Sequence, residues 1–486
     1  MGTVHRIAKN TGVLFAGQIA SHVFIFLYMM YAARYLGPSD FGILTFALAF
    51  TGIFGVICDF GLQPLTVREV ARNRSLASKY LSNIVGLKII LGTFCLGLIV
   101  LVINLLDYPD KTLTVVYLLA LSIVLKAFNS MFYSIFQAYE KMEYQSLGQI
   151  LNSFLMLVGV VFAMKWKLEV TGFSAVYFTV STAILIYSLM VLKINFPDVY
   201  LPWRHRIIEI DWPFWRATFT EAFPFGIAMT FMVIFYWIDS VMLSLMKGNT
   251  VVGYYNASYR IVLALQFIPN SFITAIYPVM SKYYETSRNS LEASFVNSFT
   301  YLLILGVPIG FGTTILAKPI ISLIYGIDYT LSVPALQILI WSMVFIFMSQ
   351  PFGNLFNCVN RQAVVSKTTG ICVGLNIILN IILIPKYSLI GASIATLITE
   401  VASLILLVFW STEIFLTIPD AKTLAVTGAK ILISSAVMSL YTLYFINMSL
   451  FALIPSATVL YFIVLFFLNG ISGKDISFIM NLIKWR

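Results

Sequence analysis

TGVLFAGQIASHVFIFLYMMYAA, residues 11–33, decides how the rest of the chain is read. Its 23 residues contain no Asp, Glu, Lys or Arg and a single histidine, His22. As a helix this run rises roughly 34 Å, enough to cross the hydrocarbon of a bilayer. It is longer than the apolar stretch of about 7–15 residues in a secretory signal and has no small-residue cleavage site. It therefore reads as a retained first span. Arg34 ends it, and GPSDFG at 37–42 turns the chain into a second apolar run at 41–66.

Fourteen such runs follow one another, from 11–34 and 41–66 through 217–245 to 423–446 and 450–470. Composition supports this reading. Of 486 residues 60% are hydrophobic and 10% charged, and mean hydropathy is +0.93. Fourteen spans of ~20 residues would use nearly all of that apolar sequence. A soluble globular protein is excluded, as is an enzyme hung on a single anchor. The predicted fold class is all-α and polytopic.

The formal net charge of +10 looks basic, but its placement follows membrane orientation, so no nucleic-acid partner is expected. With the N-terminus inside, nineteen Lys and Arg fall on inner segments and seven on outer ones. That bias predicts a multi-pass protein of the cell membrane with both termini cytoplasmic. Cys58, Cys95, Cys358 and Cys372 lie in apolar runs without metal or disulfide spacing, so they read as small buried hydrophobes. The longest connection, 194–216, combines Trp203, Trp212 and Trp215 with Arg204, His205, Arg206 and Arg216. This composition fits an interfacial linker, or a contact with anionic headgroups.

A repeat is visible. GPSDFG at 37–42 corresponds to GNTVVG at 248–253, 211 residues later. QAYEK at 137–141 corresponds to NCVNR at 357–361, and GFSAV at 172–176 to GASIA at 391–395. Two six-helix halves at such an offset enter the membrane from the same side and are parallel repeats. The expected domains are 1–200, 201–415 and, beyond the repeat, two further helices in 416–486.

Ionisable residues inside spans mark candidate sites, because their burial in lipid is costly. They are His22, Asp59, Lys88, Lys126, Glu221, Asp239, Arg260, Glu400 and Lys430. Lys126 and Glu400 lie roughly 18–20 Å along their helices, near the midplane. Asp239 and Arg260 lie at similar depth, so they can form an ion pair or face a cavity. Asp59 can pair with Lys88; otherwise Lys88 and Lys126 make a cationic cavity suited to an anionic group such as a diphosphate. Glu221 and Lys430 lie near the interface, within snorkelling reach. Asn376 and Asn380 share a face at i,i+4, as in helix–helix hydrogen bonding. No Walker A loop, nucleophile elbow or HExxH is present, and the outer loops are short, so no catalytic or metal-ligating residues are expected.

Several stretches resemble the polysaccharide and oligosaccharide flippases of the multidrug/oligosaccharidyl-lipid/polysaccharide exporter superfamily. They are ARYLG at 33–37 with PSDFG at 38–42, DFGL at 59–62 with REVAR at 68–72, and IDSVMLS at 238–244 with VGYYNASYRI at 252–261. PVMS at 278–281 and LIPKYSLIGASIAT at 383–396 are similar too. The resemblance implies a V-shaped pair of six-helix lobes and alternating access. It implies export of a polyprenyl- or dolichyl-phosphate-linked oligosaccharide, driven by an H+ or Na+ gradient, with no other cofactor. By position, Arg34, Lys88, Lys126 and Arg260 would meet the anionic headgroup. Asp59, Asp239 and Glu400 would couple ions or pair charges. Membrane lipids and polysaccharide-assembly proteins would be the partners. A drug antiporter of the same superfamily fits less well, since organic cations favour acidic cavities. A membrane glycosyltransferase lacks the large outer loops it needs, and an assembly subunit without transport does not account for the intramembrane charges.

Overall fold

The computed structural model describes the backbone of residues 3–414 and 421–470, and the side chains of 17–414 and 422–470. The expected boundary at 415/416 and the charges of Arg6, Lys9, Lys474, Lys484 and Arg486 lie outside the described residues. Eight helices come first: α1 (Thr3–Gly55), α2 (Leu62–Arg72), α3 (Ala77–Leu105), α4 (Asp110–Ala138), α5 (Met142–Lys165), α6 (Val170–Asn195), α7 (Pro197–His205) and α8 (Trp212–Lys247). Seven follow: α9 (Asn249–Leu265), α10 (Phe267–Thr286), α11 (Arg288–Tyr325), α12 (Val333–Cys358), α13 (Gln362–Ser411), α14 (Ala421–Tyr444) and α15 (Leu450–Phe467).

Among the described residues, 12 helical runs are long and apolar enough to cross a membrane. Two of them are broken rods. Gly37 interrupts α1 at φ 70°, a conformation open to glycine, and Pro38 supplies no amide to rejoin the ladder. Ser388 interrupts α13 at φ 54°. Each break divides its run into two shorter rods. The chain is a helical multi-pass membrane protein.

Packing separates two compact units, Met1–Asn256 with Asn380–Ser388, and Ala257–Leu379 with Leu389–Arg486. The first unit includes α8. A Cβ on Gly61 would sit 2.5 Å from the Ala222 carbonyl, and one on Gly52 3.0 Å from the Trp237 indole nitrogen. The core of this unit gathers Leu81 and Ile84 of α3, Ile135 and Phe136 of α4, Leu192 of α6 and Trp203 of α7.

The 194–216 connection is half core. Trp203 and Trp215 are buried, while Trp212 is 71% exposed, so only one of the three indoles is free to meet an interface. Residues 206–211 are strapped to α3. Ser82 Oγ bonds the Arg206 carbonyl, and Glu209 N–H donates to the Ser82 carbonyl at 3.3 Å. Asn83 Oδ1 accepts from Asp211 N–H at 3.2 Å and Trp215 Nε1–H at 2.9 Å. Lys79 closes the strap on Asp211 at 2.9 Å.

In the second unit, Met280, Phe295, Phe352 and Phe356 form one core. A second core joins Ile304 and Val307 of α11 to Ile431 and Met438 of α14 and Ala457 and Tyr461 of α15. The last two helices are thus packed onto α11, and the Tyr461 hydroxyl donates to the Ile304 carbonyl at 2.9 Å. An apolar cavity of about 380 Å³ remains between these helices, beside Leu265, Pro308 and Thr442. The four cysteines are free and buried.

Candidate functional site

Asp59 follows a short 3-10 turn at the end of α1, where Phe60 (φ 35°) and Gly61 (φ 80°) redirect the chain into α2. One carboxylate oxygen accepts the Gln63 amide at 3.2 Å, capping α2. The other accepts from Ser130 Oγ at 3.1 Å and from the Lys88 ammonium. Lys88 also donates to the Ala127 carbonyl at 2.7 Å and to Ser130 Oγ at 3.2 Å. Lys88 is 1% exposed and Asp59 19%. Of the two readings left open by the sequence, the structure takes the pair. Every proton of the ammonium has an acceptor, so Lys88 ties α3 and α4 to the Asp59 turn that leads into α2.

Lys126 is placed differently. It sits in the middle of α4, yet it is exposed. Its ammonium lies 5.5 Å from the centre of the Tyr177 ring, a cation–π distance. It forms no ion pair among the described residues. A lysine so placed needs water or an anion beside it, because hydrocarbon does not solvate it. Arg34 is also exposed, on α1 just before the Gly37 break. Arg260, on α9 in the second unit, is half-buried and close enough to Tyr325 to act on its hydroxyl electrostatically.

Asp239 on α8 is 5% exposed. It accepts from the Tyr255 hydroxyl at 2.7 Å and from Asn380 Nδ2 at 2.6 Å. The helix–helix hydrogen bonding expected of Asn380 is therefore made, and to a carboxylate. Neighbouring Asn256 donates to Ser240 Oγ at 3.0 Å. The roles of Tyr255 and Asn256 were missed in the sequence; YNASYR gave them only as part of a motif. Glu400, in the second unit, is 7% exposed and forms no ion pair among the described residues. Glu221 pairs with Arg68, which also binds Glu69 at 2.6 Å, and Lys430 donates to the Asn469 carbonyl at 3.0 Å. Each has a partner the sequence did not indicate.

Comparison with known proteins gives this geometry a family. Residues 7–284 match the family model described as polysaccharide biosynthesis protein, and residues 224–382 match that of MatE. A probable low-salt glycan biosynthesis flippase of Haloferax volcanii is 23% identical over 80% of each chain. A putative O-antigen transporter of Escherichia coli is 24% identical over 82% of this chain and 96% of its own. The solved lipid II flippase MurJ, in an inward closed conformation, superposes with a TM-score of 0.75 at 17% identity, over 93% of this chain and 98% of that one. The helical order, the repeat and a family model spanning more than half the sequence agree, and the chain belongs to the polysaccharide biosynthesis protein family.

Proposed function

We propose that this protein is a flippase that carries a lipid-linked oligosaccharide from the cytoplasmic to the outer leaflet of the cell membrane. The observation that carries the reading is Lys126: a partly exposed lysine whose ammonium lies over the Tyr177 ring without a carboxylate partner among the described residues, halfway along an apolar helix. A phosphate or diphosphate is the group such a cation meets best. Arg34 and Arg260 are the further headgroup contacts, and Lys88 leaves that set for its pair with Asp59. The similarity to proteins named as glycan flippases and O-antigen transporters supports the substrate class.

A sugar headgroup does not cross ~30 Å of hydrocarbon unaided. Moving the head past a midplane site while the tail stays in lipid requires no covalent chemistry, so the protein is a transporter and not an enzyme. The apolar cavity beside α14 and α15 is chemically suited to hydrocarbon. Asp239, buried and bonded by the Tyr255 hydroxyl and the Asn380 amide, and Glu400 are the candidates for coupling to an H+ or Na+ gradient. The lysine and arginine bias supports termini on the cytoplasmic side, where polysaccharide-assembly proteins would supply the substrate.

The test is translocation by the purified protein in proteoliposomes. A fluorescent polyprenyl-diphosphate oligosaccharide is supplied with and without an H+ or Na+ gradient, beside an organic cation dye. Glycolipid movement alone is expected. Movement of the dye alone would replace this reading with the drug antiporter that the MatE match allows.

A further inference from the structure

The chain between the spans Val170–Asn195 and Trp212–Lys247 crosses no membrane, so it lies at a bilayer surface. Its inward side is fixed. Phe196, Val199 and Trp203 are buried, and the Trp203 ring meets Phe132 of α4 at 6.0 Å. Its outward side mixes apolar and basic residues. Leu201, Ile207, Ile208, Ile210 and Trp212 are exposed, Ile210 to 74%. Among them stand Arg204 and Arg206, with Lys193 before and Arg216 after, all four exposed.

A slack loop would fold its isoleucines back onto the protein, because exposed apolar area is costly in water. This one is tied. The Arg206 carbonyl, the Glu209 amide and the Asp211 amide are all bonded to Ser82 or Asn83 of α3, which turns the apolar row outward. The cations are equally distinct. Arg68, Lys79 and Lys141, also in the first unit, each face a carboxylate. Lys193, Arg204, Arg206 and Arg216 form no ion pair among the described residues. Against them the segment sets only Asp198, since Asp211 is spent on Lys79 and Glu209 is half-buried, 3.5 Å from Asn83 Nδ2.

We propose that this face is a binding surface for anionic phospholipid, which anchors the start of α8 to the leaflet it rests on. The isoleucines and Trp212 enter the acyl boundary, and the four cations stand at the depth of the phosphates. Basic residues clustered beside the end of a span attract anionic headgroups, and a guanidinium grips a phosphate through two bonds. A protein partner fits less well, because its docking site would gather the apolar residues in a centre and keep the charges at a rim. Here the two kinds are interleaved. The binding is independent of what the protein transports.

The experiment attaches an NBD fluorophore at Ile210→Cys, an exposed position; the four native thiols are buried. The full chain is placed in nanodiscs of phosphatidylcholine and phosphatidylglycerol, one or the other carrying a doxyl quencher on its acyl chain. Doxyl-phosphatidylglycerol should quench more than doxyl-phosphatidylcholine at the same proportion, and the preference should fade as salt is raised. Arg204→Gln and Arg206→Gln should each lower that preference by about 5-fold. Lys141→Gln, whose ammonium already faces Glu143 at 3.9 Å, should leave it unchanged. Equal quenching by the two lipids overturns the proposal and leaves an apolar foot without headgroup choice. A label reached by aqueous iodide and by neither lipid also overturns it, putting the face in water where a protein partner would meet it. Both of these outcomes are read on the chain with its cations intact, so they decide the matter even where a glutamine variant fails to fold.

Discussion

Lys126 and Lys88 are two lysines on neighbouring helices with opposite fates. Lys126 holds its ammonium over the Tyr177 ring with no ion-pair partner among the described residues, whereas Lys88 spends its three protons on Asp59, Ser130 and the Ala127 carbonyl. Lys126→Ala should therefore abolish glycolipid movement while expression and thermal stability stay at wild-type levels; full transport would remove Lys126 from the site. Lys88→Met should do the reverse, since it strands a half-buried carboxylate and lowers thermal stability. Adding Asp59→Leu to Lys88→Met should recover much of that loss, measured by thermal unfolding in detergent. Both lysines were conspicuous in the sequence as charges in apolar runs. Their separation into one paired and one open residue was not, because it depends on Ser130 and the Ala127 carbonyl on a helix about 40 residues further on. Asp239 was equally visible, but its donor Asn380 lies 141 residues away. Asp239→Asn is expected to leave transport running without its gradient dependence; loss of folded protein instead would make Asp239 structural.

The strap of residues 206–211 shows what a single amide holds together at the scale of elements. Asn83, fully buried on α3, accepts from Asp211 N–H and the Trp215 indole. Asn83→Ala leaves these donors unpaired and should cost about 1–3 kcal/mol per stranded group. Asp211 adds a pH signature. Its carboxyl is held below the usual range by the Lys79 ammonium and by the Phe214 amide at the start of α8. A depressed carboxylate stabilises the fold above its unfolded value of about 4, and that contribution is lost as pH falls through the lower folded value. The thermal-stability gap between the wild type and Asp211→Asn should thus be open at pH 7 and close under acid. Tyr461→Phe, which deletes the bond to the Ile304 carbonyl, should loosen α15 by about 1 kcal/mol. Helix positions were legible because hydropathy alone sets them. The strap was not, because its tryptophans read as interfacial anchors until their partners on α3 were known.

At the scale of the molecule, the span pattern and the repeat were legible because a bilayer leaves the backbone few ways to satisfy its hydrogen bonds. The grouping of helices was not, since hydropathy carries no record of which helix α8 touches. Packing assigns α8 to the first unit and fastens α14 and α15 onto α11 in the second. The Lys88–Asp59 pair also bears on how the chain is made. A lysine deep in a helix raises its insertion cost by about 2.5–3.5 kcal/mol. Asp59 is synthesised before Lys88, so a counter-ion already waits in the membrane when α3 leaves the translocon. In an Asp59→Leu chain truncated after α3, glycosylation-site mapping should find α3 slipping out of the bilayer in a larger fraction of molecules. Synthesis order thus makes the pair an assembly instruction, read by the ribosome-bound chain before there is any cavity to serve.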